Sequence, residues 1–409
     1  FIAGERAEQA IRTGLAEHGA RAASIAVSPA GAVRIGDLRF ATGGMTVVVG
    51  AVTHRVDVAG LFGSALAQAS GYSFDNVTAM VGPVTIDIPK IVVEGASFSK
   101  DEIAALFAFD AGLPQRLRTL NARSITIPEI KVAFAIPNSN DSMTYEMRNV
   151  AIDGVVNGRV GRVSAGSTRY GGKMKEGAQQ GEILKTEIRG LDMVQAARVY
   201  FETASADERP ATIYESYSGD GFRSSVQSAA AIEMEMGKFS AGAMRGRPMQ
   251  TKSLAASVLE LLAVAEKQRS AGMAEKDPQD ALRIFGIVEE LIGAFEDDGM
   301  TGENWKVFVG EKAKPVATVS IAKVEGSYGG GKMAGGFRIN GVDVKAPDVT
   351  ARLAHFGVEG FSYAPMFKGM AAAIRAGDVN LKQTDTRTLM PTFGKTTIRG
   401  LEIEAPDLA

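Results

Sequence analysis

Apolar and polar residues alternate along many short stretches of this chain, and glycine-rich turns separate the stretches. One of them alternates through Val33 and Ile35 and then through Leu38 and Phe40. A period of two residues is the pattern of a strand that buries one of its faces. Two neighbouring segments with the same character are 24–28 and 45–58. The pattern predicts an antiparallel meander of short strands.

Six other segments repeat apolar residues every three or four positions, which is the period of an amphipathic helix. In the first of them Ala7, Ile11 and Leu15 share one face. The predicted helices are Gly4–His18, Asp101–Phe109, Met193–Thr203, Leu254–Ala271, Pro278–Phe295 and Met366–Ala376. Strand patterns outweigh them, so the predicted class is α+β and β-rich, with a curved antiparallel sheet.

Several segments recur along the chain in diverged form. Gly161–Gly166 resembles Gly237–Gly242, and Ile339–Asp348 resembles Ile398–Asp407 through a shared Ile-x-Gly and a shared Ala-Pro-Asp. The spacing between copies is irregular, which favours diverged strand-turn-helix repeats over a regular solenoid. Chance similarity among strands rich in small residues is the alternative.

The chain of 409 residues is long enough for two regions. We predict an N-terminal β-rich region with short helices at 1–210 and a C-terminal β-rich region at 211–409. The second region contains a helical hairpin at 251–298, whose second helix starts at Asp277-Pro278, a favourable N-cap and N1 pair.

The second helix of this hairpin carries an apolar stripe that must be buried against something. The stripe consists of Leu282, Phe285, Val288, Ile292 and Phe295. Gly286 and Gly293 flank it and are expected to let helices approach closely. The stripe is either permanent core on the sheet or part of a mobile lid over an apolar groove.

Charge and residue usage exclude several function classes. The chain has 45 basic and 47 acidic residues, a net charge of −2, so the basic excess of a nucleic-acid-binding protein is missing. It has no cysteine and three histidines, which removes thiolate chemistry and leaves few ligands for a histidine-rich metal site. We therefore predict no nucleic-acid partner, no metal and no cofactor.

No catalytic motif is recognisable. Gly326–Met333 approaches a P-loop, but Met333 stands where the Mg²⁺-binding hydroxyl is needed, so a glycine-rich hairpin turn is the better interpretation. His54 and Asp57 lie three residues apart on a strand and face opposite ways. The acidic loop Glu296–Gly299 and the polar loop Asn138–Asp141 lack EF-hand spacing. We predict that the protein is not an enzyme; an unrecognised polar catalytic site is a third, weaker interpretation.

The first sixty residues carry a resemblance to a known family. Glu5–Ala10 lie in a helix that ends at His18-Gly19, and Ile25–Ser28, Gly31–Leu38 and Val47–Gly50 follow. This order resembles the start of the AsmA-like and related uncharacterised extracytoplasmic proteins of Gram-negative bacteria. The resemblance implies a periplasmic protein, anchored or formerly anchored in the inner membrane, that serves lipid traffic or envelope homeostasis. The helical hairpin departs from that family.

Two observations bear on location. No run of about 18 uncharged apolar residues is present that could span a bilayer. The sequence begins at Phe1 and not at methionine. We therefore expect that a signal peptide or a membrane anchor precedes it, with an arbitrary boundary or proteolysis as an equal alternative.

These features lead to two functional hypotheses. The first is an extracytoplasmic protein that binds a lipid or another hydrophobic ligand on an incompletely covered sheet. The second is a structural or protein-interaction module of the cell envelope with a filled core, whose protein partner is unknown. The candidate ligand-binding residues are Phe98, Phe107, Phe134, Phe239, Phe285, Phe337 and Phe361. Ordinary core packing is the alternative role for all seven.

Overall fold

A computed structural model describes residues 2–17, 19–28, 32–42, 45–55, 71–96, 112–135, 141–174, 177–227, 231–270, 278–329, 334–378 and 384–405. Strand exceeds helix, 60% against 22%, and the strands pair antiparallel, which confirms the predicted β-rich α+β class. Backbone contacts divide the chain into two units. The first comprises 1–194, 217–235 and 309–314, and the second comprises 195–216, 236–308 and 315–409.

Every predicted helix that falls on described residues is confirmed, with ends shifted by at most two residues. The described helices are α1 (Ile2–Glu17), α2 (Leu113–Leu117), α3 (Met193–Phe201), α4 (Leu254–Ser270), α5 (Pro278–Ala294) and α6 (Ala364–Arg375), together with a 3-10 turn at Thr386–Leu389. The predicted helix Asp101–Phe109 lies outside the described residues.

Strands occupy most of the remaining described chain. They are β1 (Ser24–Val27), β2 (Val33–Thr42), β3 (Met45–Arg55), β4 (Gly71–Val81), β5 (Val84–Glu94), β6 (Ala122–Ala135), β7 (Ser142–Val156), β8 (Arg159–Met174), β9 (Gly177–Asp192), β10 (Ala211–Tyr214), β11 (Ser216–Gly219), β12 (Phe222–Gln227), β13 (Ala231–Met236), β14 (Phe239–Ala241), β15 (Met244–Gly246), β16 (Phe295–Asp297), β17 (Met300–Val309), β18 (Ala317–Gly329), β19 (Ala334–Ala346), β20 (Val349–Ser362) and β21 (Lys395–Glu404).

In the first unit β1 to β9 form an antiparallel meander in which each strand pairs with the next, and β12 pairs with β9. Its apolar core includes residues of every strand from β2 to β8, and Leu15 of α1 packs against it. The buried core residues are Ala20, Leu38, Val47, Val49, Val52, Tyr72, Phe74, Val77, Val93, Ala96, Leu120, Ala122, Val155 and Val160. The predicted meander is therefore present in this unit.

The strands shift the phase of their alternation near the middle. In β4 the buried residues Phe74 and Val77 are three apart, and Asn76 between them has φ = 53°. Strict alternation would place these two side chains on opposite faces. A left-handed residue turns the backbone locally, so both remain in the core. Glycine, asparagine and aspartate adopt this conformation most readily.

A small residue or proline stands opposite such left-handed positions. Gly50 of β3 lies between Asp37 of β2 and Asn76 of β4, both of which have positive φ. A Cβ atom at Gly50 would approach the Asn76 Cβ to 3.1 Å. Further positions of this kind are Asn76 with Pro89, Asn149 with Pro128 and with Gly166, Gly341 with Ala322 and with Ala354, and Gly400 with Ala354.

Two prolines interrupt one ladder. The pairing of β5 with β6 runs from Val84 to Asp87, stops, and resumes at Val92. Pro89 and Pro128 fall inside the gap, and neither can donate a backbone hydrogen bond. The positions of these two prolines in the sequence therefore explain the interruption.

The duplicated segments adopt matching structures. Their shared Ile-x-Gly and Ala-Pro-Asp predict the same local structure in both, a strand leaving a glycine turn, and Ile339–Ala346 in β19 and Ile398–Glu404 in β21 are indeed both strands. Their shared glycines, Gly341 and Gly400, are left-handed positions inside the strands, with φ of 65° and 63°, and not turns. Pro347 lies in a turn, whereas Pro406 lies outside the described residues.

The other recurring segment is also structurally matched. Each of its glycines lies opposite a residue of positive φ on the neighbouring segment. The pairs are Gly161 with Gly154, Gly166 with Asn149, Gly237 with Asn304, and Gly242 with Gly299. The left-handed positions are five residues apart in both copies, which supports duplication.

The helical hairpin is confirmed, but its buried line differs from the predicted stripe. Asp280, Ile287 and Ala294 of α5 are buried, whereas Phe285 is half-buried. The expected role of Gly286 is wrong, because an added Cβ there would meet nothing within 4 Å. The Lys267 ammonium donates to Asp280 (Nζ–Oδ2, 2.6 Å) and joins α4 to α5.

Candidate functional site: an open apolar face

In the second unit, apolar residues of β18–β21 form ladders that cross four strands. Residues paired directly across antiparallel strands project from the same face. The ladders are Val324–Ile339–Phe356–Ile398, Ile321–Val342–Leu353–Leu401 and Val319–Val344–Ala351–Ile403. The alternation shifts phase at four paired residues, Ala322, Gly341, Ala354 and Gly400, which we call the Gly341 row. This row separates the first ladder from the other two. We call the three ladders together the apolar face.

The intervening residues form polar ladders. These are Lys323–Asn340–His355–Arg399 and Ser320–Asp343–Arg352–Glu402. The Arg352 guanidinium lies 3.5 Å from Asp343, and His355 Nδ1 lies 2.7 Å from the Asn340 side-chain oxygen. In these five ladders the apolar and the polar side chains therefore project from opposite faces of the sheet.

The apolar face is open. Its side chains on β18–β20 are half-buried, and on β21 Ile398, Leu401 and Ile403 are 58%, 58% and 61% exposed. The corresponding residues of the first unit, such as the pair Val52–Phe74, are 5% and 6% exposed. A contiguous exposed apolar surface of this kind marks a ligand or interaction site.

A groove of about 590 Å³ adjoins one end of the apolar face. Phe337 and Val358, which pair with each other one ladder beyond Ile339 and Phe356, both line it. Glycines supply much of its wall: Gly242, Gly299, Gly326, Gly335, Gly336 and Gly360. Because glycine has no side chain, backbone groups are accessible there.

Charged side chains surround this groove. The Arg245 guanidinium donates twice to Asp298 (Nη1–Oδ1, 2.5 Å; Nη2–Oδ2, 2.7 Å) and lowers the pKa of that carboxyl group below its ordinary value. A hydrogen bond from Lys323 likewise lowers the pKa of Glu325. Arg338 lies 3.3 Å from Glu359. Of Phe337 and Val358, only Phe337 is partly exposed, because Val358 is 1% exposed, and charged side chains lie nearby.

Aromatic residues cluster at the same end. The Phe337 and Phe356 rings are 5.6 Å apart. Phe361 packs edge-on against Tyr363 at 4.5 Å and against Phe393 at 5.2 Å. Such edge-to-face pairs stabilise the surface beyond simple burial.

The structure brings only some of the predicted phenylalanines together. Phe337 and Phe361 lie on the adjacent strands β19 and β20, one at the groove and one beside it. Phe239 and Phe285 are half-buried elsewhere in the second unit, and Phe134 is half-buried in the first. Phe98 and Phe107 lie outside the described residues.

Sequence reasoning missed the aliphatic ladders and Phe356. The sequence does indicate these ladders, because the spacing between apolar residues changes from two to three positions within each strand, for example from Leu353 to Phe356 and from Ile398 to Leu401. The same step occurs at Ile35–Leu38, where the residues on both sides face the core.

The candidate catalytic and metal residues form no reactive arrangement among the described residues. His54 stacks on Tyr72 with centroids 4.4 Å apart, and burial lowers the pKa of His54. Asp57 lies outside the described residues. In the part of the chain that the structure describes, no three His, Asp or Glu side chains are placed to hold a metal ion.

The P-loop-like segment has the strand context of a hairpin. Gly326–Gly329 end β18 and Ala334 begins β19, with 330–333 outside the described residues. Tyr170–Met174 similarly end β8 and precede β9.

Among the described helices, none combines the length and apolarity that a bilayer crossing requires.

No protein-family model, curated protein or solved structure matches this chain.

Proposed function

We propose that this protein binds a lipid or a similar amphiphile without catalysing a reaction, and that the apolar face of β18–β21 is the binding surface. The observation that carries the proposal is the half-exposure of three consecutive apolar ladders. Four strands at about 4.8 Å spacing make a strip roughly 14 Å across. This strip can receive acyl chains through contacts that require no specific orientation.

The groove at the end of the face supports an amphiphile over a purely apolar ligand. Phe337 and the buried Val358 continue the apolar ladders to a groove whose wall is largely glycine backbone. An acyl chain on the ladders would place a polar headgroup within reach of these glycine backbone groups, whereas Arg338 and Glu359 project from the opposite, polar face. The expected extracytoplasmic location belongs to the same proposal.

A titration with a fluorescent long-chain fatty acid tests this function. Val342→Thr combined with Val344→Thr keeps the shape and β-branching of both side chains but adds hydroxyl groups to two ladders. The added polar surface should weaken binding at least about tenfold. Val316→Thr, at a 63% exposed position outside the ladders, is the matched control and should bind normally. Equal affinity in all three proteins would remove the apolar face from the proposal.

The second candidate function is a protein-interaction module. It is favoured by β21, whose ladder residues are the most exposed of the face and which pairs, among the described strands, with β20 alone. The two functions use different features: the broad face in the first and the strand edge in the second.

A further inference from the structure

The outer edge of β21 offers backbone groups and apolar side chains to another strand. The strand is ten residues long, and no described strand other than β20 pairs with it. Ile398, Leu401 and Ile403 are more than half exposed. An open edge of this kind can recruit a further strand. Four residues of β21 are charged, Lys395, Arg399, Glu402 and Glu404, and of these Arg399 and Glu402 belong to the polar ladders on the face opposite Ile398, Leu401 and Ile403.

The Gly341 row restricts which strand can fit there. Gly341 is left-handed and has alanine opposite it on both sides, Ala322 on β18 and Ala354 on β20. Gly400 repeats this position on β21, with Ala354 on its inner side and its outer side unpaired by any described residue. The spacing is close: a Cβ at Gly400 would lie 2.8 Å from the Ala354 Cβ.

Three of the strands that flank left-handed positions share a sequence pattern: an apolar residue, any residue, an apolar residue, a glycine or alanine, any residue and an apolar residue. They are Val47–Val52 on β3, Val319–Val324 on β18 and Ala351–Phe356 on β20. In β5 and β6 a proline, Pro89 or Pro128, takes the place of the glycine or alanine. The shared pattern keeps apolar residues on one face across the phase shift and leaves room opposite the left-handed residue.

We propose that the outer edge of β21 binds an extended segment of a partner polypeptide that carries this pattern, antiparallel, with its glycine or alanine opposite Gly400. Its apolar residues then extend the three ladders by one strand. A second copy of this chain fits less well for two reasons. The described strands that have this pattern are already paired, and β21 itself has a left-handed residue, Gly400, where the pattern has a glycine or alanine that faces a left-handed residue. The proposal is independent of lipid binding.

A peptide of residues 349–359 provides the probe, since β20 pairs with the side of β19 that corresponds to the open side of β21. Fluorescence anisotropy of the labelled peptide should show saturable binding to the full chain. Replacing the alanine that corresponds to Ala354 by valine should weaken binding at least about tenfold, because the branched side chain overlaps the left-handed backbone. Deleting this alanine restores strict alternation, misplaces half of the apolar residues and should have the same effect.

A matched pair of protein variants locates the contact. Leu401→Lys on β21 should abolish peptide binding, whereas Leu259→Lys on α4, at a 66% exposed position, should leave it unchanged. Both sites are exposed, so folding should survive, and the peptide variants test the idea without altering the protein. Three results would overturn the proposal: no saturable binding, equal binding of all three peptides, or a Leu401-dependent dimer that occupies the edge.

Discussion

At the residue scale, the left-handed positions explain how strands with shifted periodicity keep one apolar face. Asn76, Asn149 and Gly341 are inside strands and have φ between 53° and 65°. Their neighbours are Gly, Ala or Pro because any larger group would collide with the turned backbone. The positions look like turn residues in the sequence, yet they are interior to β-ladders.

Two glycine-to-alanine substitutions should have opposite effects. Gly341→Ala places a Cβ 2.9 Å from the Ala322 Cβ at φ = 65°, so we expect a loss of roughly 1–3 kcal/mol in unfolding free energy. Gly286 lies inside α5, and a Cβ added there would meet no neighbouring atom within 4 Å. For Gly286→Ala we therefore expect the unfolding free energy to rise by up to about 1 kcal/mol. Denaturant unfolding measures both. A stabilising Gly341→Ala would contradict the proposed role of the row.

His54 gives the first unit a pH dependence. Burial against Tyr72 lowers its folded-state pKa below 6.5, so the unfolded chain binds the proton more readily. The contribution of His54 to stability is complete above about pH 6.5 and is lost as the pH falls through the lower folded-state pKa. His54→Gln should flatten the pH dependence of the unfolding midpoint in this range. An unchanged slope in the variant would show that His54 does not titrate differently on folding.

At the element scale, the helical hairpin is held to its surroundings by specific polar contacts. Glu290 accepts a hydrogen bond from the amide of Gln250, the residue just before the hairpin, and within the hairpin it accepts from the Thr251 amide at 3.0 Å and the Thr251 hydroxyl at 2.5 Å. The Tyr328 hydroxyl of β18 donates to the Ile292 carbonyl at 3.4 Å. These contacts favour permanent packing over a mobile lid.

The burial of α5 predicts an order of mutational costs. Ile287→Ala should cost about 2–5 kcal/mol, because Ile287 is 6% exposed. Phe285→Ala should cost less, although it removes more atoms, because Phe285 is only half-buried. Thermal melts with and without phospholipid compare the two variants. A larger cost for Phe285→Ala that phospholipid rescues would favour the lid.

The sequence predicts elements better than it predicts the site. Helices such as Met193–Phe201 follow from local periodicity, and their ends were placed within two residues. The apolar face depends on which residues pair across strands, for example Val342 with Leu353, and this register is not local information. Attention to phenylalanines found Phe337 and Phe361 but passed over the aliphatic ladders, because single valines and leucines have no individual signature.

At the scale of the whole molecule, the two units use the same strand pattern with different outcomes. In the first unit the apolar face of the strands is buried and forms the core, which includes Val49 and Phe74. The second leaves the apolar face of β18–β21 half-exposed. Exposed apolar surface costs roughly 25 cal/mol per Å² relative to burial, and this cost is the physical basis for proposing that the face binds a ligand.

Native mass spectrometry of the full chain, purified from its cells without detergent, tests the central proposal most directly. We predict a population carrying one or more amphiphile masses, which organic extraction removes and which the Val342→Thr, Val344→Thr double variant retains poorly. The control Val316→Thr should retain them like the unmodified protein. A bare polypeptide mass in every preparation, with no uptake of added phospholipid, would contradict the assignment of the apolar face as a lipid-binding surface.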